Sequence, residues 1–276
     1  MPFLPVLSAI SGVRNTARTS GSVFNRIMQL HQLNGYIQNI LLVEYEHGLL
    51  LLDGCCRADV DSVARFITDE LNRPLTDLKL VVVTHMHPDH AGGAHQLRRI
   101  SGCRIACHPK APRWYRGLMG KFAHLTDVGL TYWVAGRIGK PKKHIWYAST
   151  LRPDFVLDDE QTLPEFPDWQ VLYTPGHTDH DLSLWHAESR QVYVADLVVF
   201  VKKRLVPPYP VCHPNQYKAS LRRLEALAQP MVYFAHVKPR ILRKTDIDEV
   251  IAKAPDLPKN HWHSSKARVK HALGLN

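Results

Sequence analysis

The sequence predicts an α/β protein in which sheet is covered by helices. Strand-like runs rich in Leu and Val alternate with amphipathic helical runs in both halves of the chain. The 276 residues are 45% apolar, enough for a large core and too apolar for a disordered chain. No close internal repeat interrupts the alternation.

Residues 36–45 read as a strand and 48–53 as its buried partner, closed by Gly54. Residues 59–71 read as a helix: Val60, Val63, Ile67 and Leu71 recur at helical spacing, and Asp59 and Asp61 sit near its start. Residues 78–83 form a β-branched run ending in Thr84, a buried strand. A helix over 91–100 follows, despite Gly92 and Gly93, and then a short strand over 104–107. Residues 111–150 mix aromatic and basic side chains, and Pro112, Gly120 and Pro141 are expected to break them into short helices. Strands resume at 169–173, 182–185 and 191–195. Residues 215–228 are an amphipathic helix with Tyr217, Leu221, Leu224 and Leu227 on one stripe. A strand over 231–235 and a helix over 245–254 complete the pattern. The whole chain, 1–276, is read as one domain with a basic aromatic insertion at about 108–150 and a flexible basic tail at about 258–276.

The formal charge of +10 is concentrated. Residues 98–153 hold twelve basic side chains and one acidic one, Asp127. Charge spread along the chain, as expected of a nucleic-acid binder, is not seen, so nucleic acid is disfavoured as a partner. Five cysteines in a long chain argue against a disulfide framework and for a reducing, cytoplasmic setting. No apolar run approaches the ~18 residues of a membrane span. The first ten residues lack a basic leader and carry Pro2 and Pro5, a poor fit to a secretory signal. Residues 1–43 contain no carboxylate and carry Arg14, Arg18 and Arg26, a faint likeness to a transit peptide.

The informative stretch is Thr84-His85-Met86-His87-Pro88-Asp89-His90. In extended backbone alternate residues face one way, so His85 and His87 can share an ion. Pro88 discourages continuation of the strand and lets the chain turn, bringing Asp89 and His90 to a neighbouring position. Three other strand ends offer ligand-type residues: His177 after 169–173, Asp196 after 191–195 and His236 at the end of 231–235. Several strand termini that each present a His or Asp point to a metal centre.

At this point the sequence resembles the metallo-β-lactamase superfamily. The His-x-His-x-Asp-His signature, the turn Thr174-Pro175-Gly176-His177-Thr178, a later Asp after a strand and a final His occur in the family's order, and Asp53 matches its early structural Asp. The resemblance covers about residues 36–240. It implies an αββα sandwich of two mixed β-sheets flanked by helices, with two divalent metal ions at one edge. His85, His87 and His177 would bind one ion, Asp89, His90 and His236 the second, and Asp196 would bridge them. An all-nitrogen-and-oxygen set suits Zn²⁺, and Fe, Mn or Co would also be accepted. Two ions about 3.5–4 Å apart share a hydroxide whose pKa falls toward ~7. That hydroxide would be the nucleophile, oriented by Asp89 as the catalytic carboxylate.

The resemblance also narrows the branch. The superfamily's β-lactamases lack a bridging Asp where Asp196 stands, the flavodiiron reductases carry Glu at the place of His87, and the tRNA-processing nucleases usually show Gly at the place of Pro88. Thioesterases of the glyoxalase II type, lactonases, phosphodiesterases and related esterases remain. This chain departs from the family at Asp179-His180-Asp181, where Pro-Gly-His is frequent, and at Ala195, where Gly is frequent. Asp179, His180 and Asp181 are either partners that fix the tautomer of His177 or of a neighbouring ligand, or simply a solvated turn, and Asp53 is a further candidate for holding the ligands. Lys202, Lys203 and Arg204, just after Asp196, are either a solvated face or a contact for an anionic leaving group. Cys55, Cys56, Cys103 and Cys107 read as small buried residues.

The insertion is read as a substrate lid carrying Trp114, Tyr115, Trp133, Lys140, Lys142 and Lys143. A peripheral membrane contact, a homodimer contact and a plain helical cover are the alternatives. The expected function is hydrolysis of a small ester-like substrate (a lactone, thioester or carboxylic ester), anionic or acyl-bearing. The alternatives are a phosphodiesterase and a metal-retaining binding protein without turnover.

Overall fold

A computed structural model describes residues 28–259. The transit-peptide-like start and most of the basic tail lie outside the described residues. The first half of the chain builds one sheet from β1 (Gln29–Asn34), β2 (Asn39–Tyr45), β3 (Gly48–Leu51), β4 (Leu78–Val83), β5 (Arg104–Cys107) and β6 (Phe155–Val156), in that spatial order. The first two pairings are antiparallel and the rest parallel. Helices α1 (Val60–Arg65, continued by a wide turn over Phe66–Glu70), α2 (Pro88–Ala91), α3 (Ala94–Ser101) and α4 (Gly117–Arg137) accompany this sheet.

The second half builds the other sheet. Its strands are β7 (Thr162–Leu163), β8 (Phe166–Tyr173), β9 (Leu182–His186) and β10 (Gln191–Tyr193). A separate hairpin of β11 (Val199–Val201) and β12 (Arg204–Val206) comes next, then α5 (Pro214–Ala226), β13 (Met231–Tyr233), β14 (Arg240–Ile241) and α6 (Lys244–Lys253). The order is β14-β13-β10-β9-β8-β7, with β10 and β13 parallel and the other neighbours antiparallel.

Side-chain alternation sorts these strands into layers. Leu49, Leu51, Val81 and Val83 face Val60, Val63, Ala94 and Leu97 of the first helical layer. Leu50, Leu80 and Val82, one residue out of phase, face Trp169, Val171, Leu182 and Tyr193 across the two sheets. On the far side Trp185, Val192 and Val232 meet Tyr217, Leu221, Ile247 and Val250 of α5 and α6. The result is the αββα sandwich. Because β3 and β4 are buried on both faces, their exposed chemistry is confined to their ends.

Two expectations need correction. Residues 111–150 are not broken into short helices: 117–137 is one continuous helix through Gly120, Gly129 and Gly136. An interior glycine costs about 1 kcal/mol in a helix. Burial of His124, Asp127, Val128, Thr131 and Ala135, at helical spacing, offsets that cost. The first strand is also not 36–45. A polar edge strand, β1, precedes it, with Gly35 to Gln38 forming the turn into β2.

Candidate metal centre

The centre sits where β3 and β4 end. Asp53, just past β3, is the hub. Its carboxylate accepts hydrogen bonds from the backbone N–H of Gly54 (3.0 Å) and Thr84 (3.2 Å), and from the hydroxyls of Thr84 (2.8 Å) and Tyr193 (2.9 Å). It also accepts from His90 Nδ1 (2.6 Å). Gly54 is required by packing, because a Cβ there would lie 2.4 Å from the His90 carbonyl oxygen.

Each imidazole has one nitrogen tied to an oxygen and the other turned to the centre. The Thr84 hydroxyl donates to Asp53 and therefore accepts from His85 Nδ1 at 3.2 Å. His177 Nδ1 donates to the Pro210 carbonyl (2.6 Å) and His236 Nδ1 to the Ile37 carbonyl (3.0 Å). Four of the five rings thus offer Nε2. His87 is the exception: its Nδ1 lies 3.1 Å from His85 Nε2 and 2.9 Å from His177 Nε2, while its Nε2 faces Asp127 at 3.7 Å.

Two donor sets result. The atoms of His85, His87, His177 and Asp196 lie within 4.8 Å of one another, and so do those of Asp89, His90 and His236. Asp196 reaches both. Its Oδ2 is 3.9 Å from His85 Nε2 and 3.7 Å from His177 Nε2, and its Oδ1 is 3.3 Å from His90 Nε2 and 3.2 Å from His236 Nε2. Asp89 Oδ2 lies 3.4 Å from His90 Nε2 and 3.3 Å from His236 Nε2.

The set fits divalent cations. His90 Nε2 and Asp196 Oδ1 are buried and face each other at 3.3 Å without a well-formed hydrogen bond, a costly state that a shared cation would relieve. Burial, reinforced by the neighbouring rings, holds His85 and His87 well below the usual histidine range, in the neutral form a metal needs. Against the cost of burial, Asp89, Asp53 and Asp196 hold His90 well above that range. Asp196 and Asp89 likewise push His236 up to about 10. Despite their own burial, both carboxylates are held below the usual range by His90 and His236. Charge is therefore balanced internally, with protons standing in for cations.

The surroundings correct the expectation for the 179–181 turn. Asp179 and His180 do not orient His177; the Pro210 carbonyl does. His180 instead bonds Asp179 Oδ1 through Nδ1 (2.8 Å) and accepts the Met86 backbone N–H at Nε2 (3.1 Å). The Met86 carbonyl accepts from the Tyr147 hydroxyl (2.5 Å), so the residue between His85 and His87 is held on both sides. Asp181 caps the turn by accepting from the N–H and hydroxyl of Thr178. Gly176, at φ +150°, has no room for a side chain: a Cβ would lie 2.4 Å from Tyr217 Cα.

Sequence reasoning missed Asp127, Tyr147, Pro210 and Gln38, whose side-chain amide donates to the Asp89 carbonyl (2.8 Å). Asp127 had a signal, as the single carboxylate of the basic 98–153 segment. It is buried on α4, accepts from Tyr115 (2.7 Å), and is pushed up to about 6 by burial. Of the lid candidates, Tyr115 turns inward and Trp114 packs on His180 at 4.9 Å. Trp133 points out under Arg137, Lys140 approaches the Gly35 carbonyl, and Lys142 and Lys143 lie over Tyr132 and Tyr36. Lys202, Lys203 and Arg204 are exposed at the β11–β12 turn. Burial raises the Cys103 thiol to about 11 and the Cys107 and Cys212 thiols to about 12, which disfavours thiolate chemistry.

The sequence profile of the metallo-β-lactamase superfamily matches residues 33–236. The chain belongs to that superfamily. Among curated proteins it is 22% identical over 222 residues to the probable metallo-hydrolase YflN of Bacillus subtilis (strain 168), covering 73% of each chain. Among solved structures it resembles the metallo-β-lactamase family protein TTHA1429 of Thermus thermophilus. The TM-score is 0.61 at 21% identity, over 89% of this chain and 82% of that one. It also resembles TTHA1623, solved in a di-iron-bound form, with a TM-score of 0.56 at 22% identity, over 83% and 99% of the two chains. The fold brings His85, His87, Asp89, His90, His177, Asp196 and His236 together at one edge. This chain is thus a metallo-hydrolase by family, with a His/Asp cluster placed for metal.

Proposed function

We propose that this chain is a dinuclear metal-dependent hydrolase that cleaves an ester-like bond: a lactone, thioester or carboxylic ester. The observation that carries the reading is Asp196, which turns one carboxylate oxygen to each donor set. His85, His87 and His177 would hold one ion and Asp89, His90 and His236 the other. When bound, the divalent ions (zinc on the chemistry of the donors, iron on the analogy of TTHA1623) supply Lewis acidity and a water acidic enough to attack near neutral pH.

The chain's own residues do the rest. Asp89, buried beside His90 and His236, stays ionised and would orient the attacking water by accepting a hydrogen bond from it. The outward hydrogen bonds of His85, His90, His177 and His236 keep their ring protons away from the reacting edge. Tyr115 and Trp114 close the α4 side and exclude solvent there.

The test is metal analysis and turnover of the zinc- and iron-reconstituted protein on lactone, thioester, carboxylic ester, phosphodiester and β-lactam substrates. Two ions per chain with turnover on one of the first three is expected. Turnover confined to the phosphodiester would replace this reading with the one the basic segment favours. Two ions with no turnover on any substrate would make the protein a metal-retaining binder.

A further inference from the structure

We propose that α4 is a docking surface for an anionic lipid bilayer. The helix buries one side, which mixes polar and apolar residues, and exposes an apolar row on the other. Its inner side carries the buried Val128, Thr131 and Ala135. Its outer side presents Leu118 (72% exposed), Phe122 (57%), Leu125 (51%) and Trp133 (59%), with Met119 (61%) beside them. Leu118, Phe122, Leu125 and Trp133 fall on one helical row that passes through the exposed Gly129. An apolar row of this length is ordinarily covered, yet nothing among the described residues covers it. No helix among the described residues is long and apolar enough to cross a membrane, so α4 meets a bilayer from its surface.

Charge selects the occupant. Arg116, Lys121 and Arg137 are exposed cations on α4 or at its start, and the exposed Lys140, Lys142 and Lys143 follow its C-terminal end. The single carboxylate of the 98–153 segment, Asp127, is turned inward and buried. A second copy of the same face would set one such cationic surface against another, which opposes a symmetric dimer. An anionic bilayer complements it, with bulky apolar side chains entering the headgroup boundary and lysines and arginines held among the phosphates. A cleft of about 600 Å³ lies beside α4, lined by His95, Arg98, Arg152 and His124, with Trp146, half exposed, at its edge; Arg98 is paired there with Asp154 at 2.8 Å, so the attraction rests on the exposed cations near α4. Because α4 also carries Asp127 against His87, docking would bring the metal edge close to the bilayer.

Binding is read without turnover, so the test is independent of the proposed reaction. The full chain is sedimented with vesicles of phosphatidylcholine, with and without phosphatidylglycerol, at low and high salt. Binding to the anionic vesicles alone, lost at high salt, is expected. Each charge removed should weaken binding about fivefold, and Lys121→Gln with Arg137→Gln about 30-fold. Leu118→Ser with Phe122→Ser should also weaken it, with the melting temperature and circular dichroism of the soluble protein kept. No binding to anionic vesicles, or binding that both double variants leave unchanged, would overturn the proposal. So would a dimer in solution that Leu118→Ser with Phe122→Ser dissociates in a chain that ignores vesicles.

Discussion

Asp53→Asn keeps the shape of the hub and removes its charge. If the amide oxygen stays with the Gly54 and Thr84 N–H groups, the NH₂ group faces the Thr84 and Tyr193 hydroxyls and His90 Nδ1. The hydroxyls can rotate, but the imidazole must move its proton. His90 Nδ1 becomes the acceptor and Nε2 carries the hydrogen toward Asp89 and Asp196. That tautomer cannot coordinate. Loss of such a ligand-orienting partner costs about 10–100-fold in metal affinity, or about 1.4–2.7 kcal/mol. The assay is stepwise competition between the metal-free protein and a chromophoric chelator. The Asp89–His90–His236 set should weaken more than the set built on His85, His87 and His177. Asp53→Ala serves as contrast. It leaves several buried donors unpaired at once, which costs about 3–5 kcal/mol and lowers the melting temperature by about 10 °C. Wild-type affinity at both steps in the Asn variant would show that Asp53 does not set the His90 tautomer.

Three other outcomes are expected. His85→Ala and Asp196→Ala should each cut metal content and turnover by orders of magnitude, measured by elemental analysis and on the best substrate; full activity of a metal-free preparation would refute the metal-dependent mechanism. In the metal-free protein the carboxylates raise His90 and His236, so their stabilising contribution is complete below the ordinary histidine range and is lost as pH rises, for His236 through about 10. Thermal melts of that form should therefore fall between about pH 6.5 and 10, while metal affinity, which requires loss of the same protons, should rise; opposite trends would contradict the geometry. Gly176→Ala should cost about 1–3 kcal/mol by forcing the turn that carries His177 away from Tyr217, read by denaturant unfolding.

What could be read ahead of the structure was set by local chemistry. β4 follows from its β-branched run, and its neighbours in the sheet bury both of its faces. The candidate ligands were visible because each follows a strand, where the chain leaves the sheet and its side chains reach the edge. What stayed hidden depended on contacts distant in sequence. α4 is continuous through three glycines because its inner side is buried, which glycine spacing alone does not reveal. Pro210 orients His177 from 33 residues away, and Tyr147 holds Met86 from 61. Strands as short as β6, β7 and β14 have no periodicity to detect and exist through their pairing partners.

The grip on Met86 from both sides has a kinetic meaning. His85 and His87 flank a residue whose N–H is held by His180 and whose carbonyl is held by Tyr147, so the backbone that carries the two rings cannot shift without breaking a buried bond. His236 follows the short strand β13 and keeps partial solvent exposure. The first three-histidine set is thus preorganised and loses little freedom on loading, whereas the second closes through its most accessible member. Cations should enter and leave in a fixed sequence, first in at His85–His87–His177 and first out at His236.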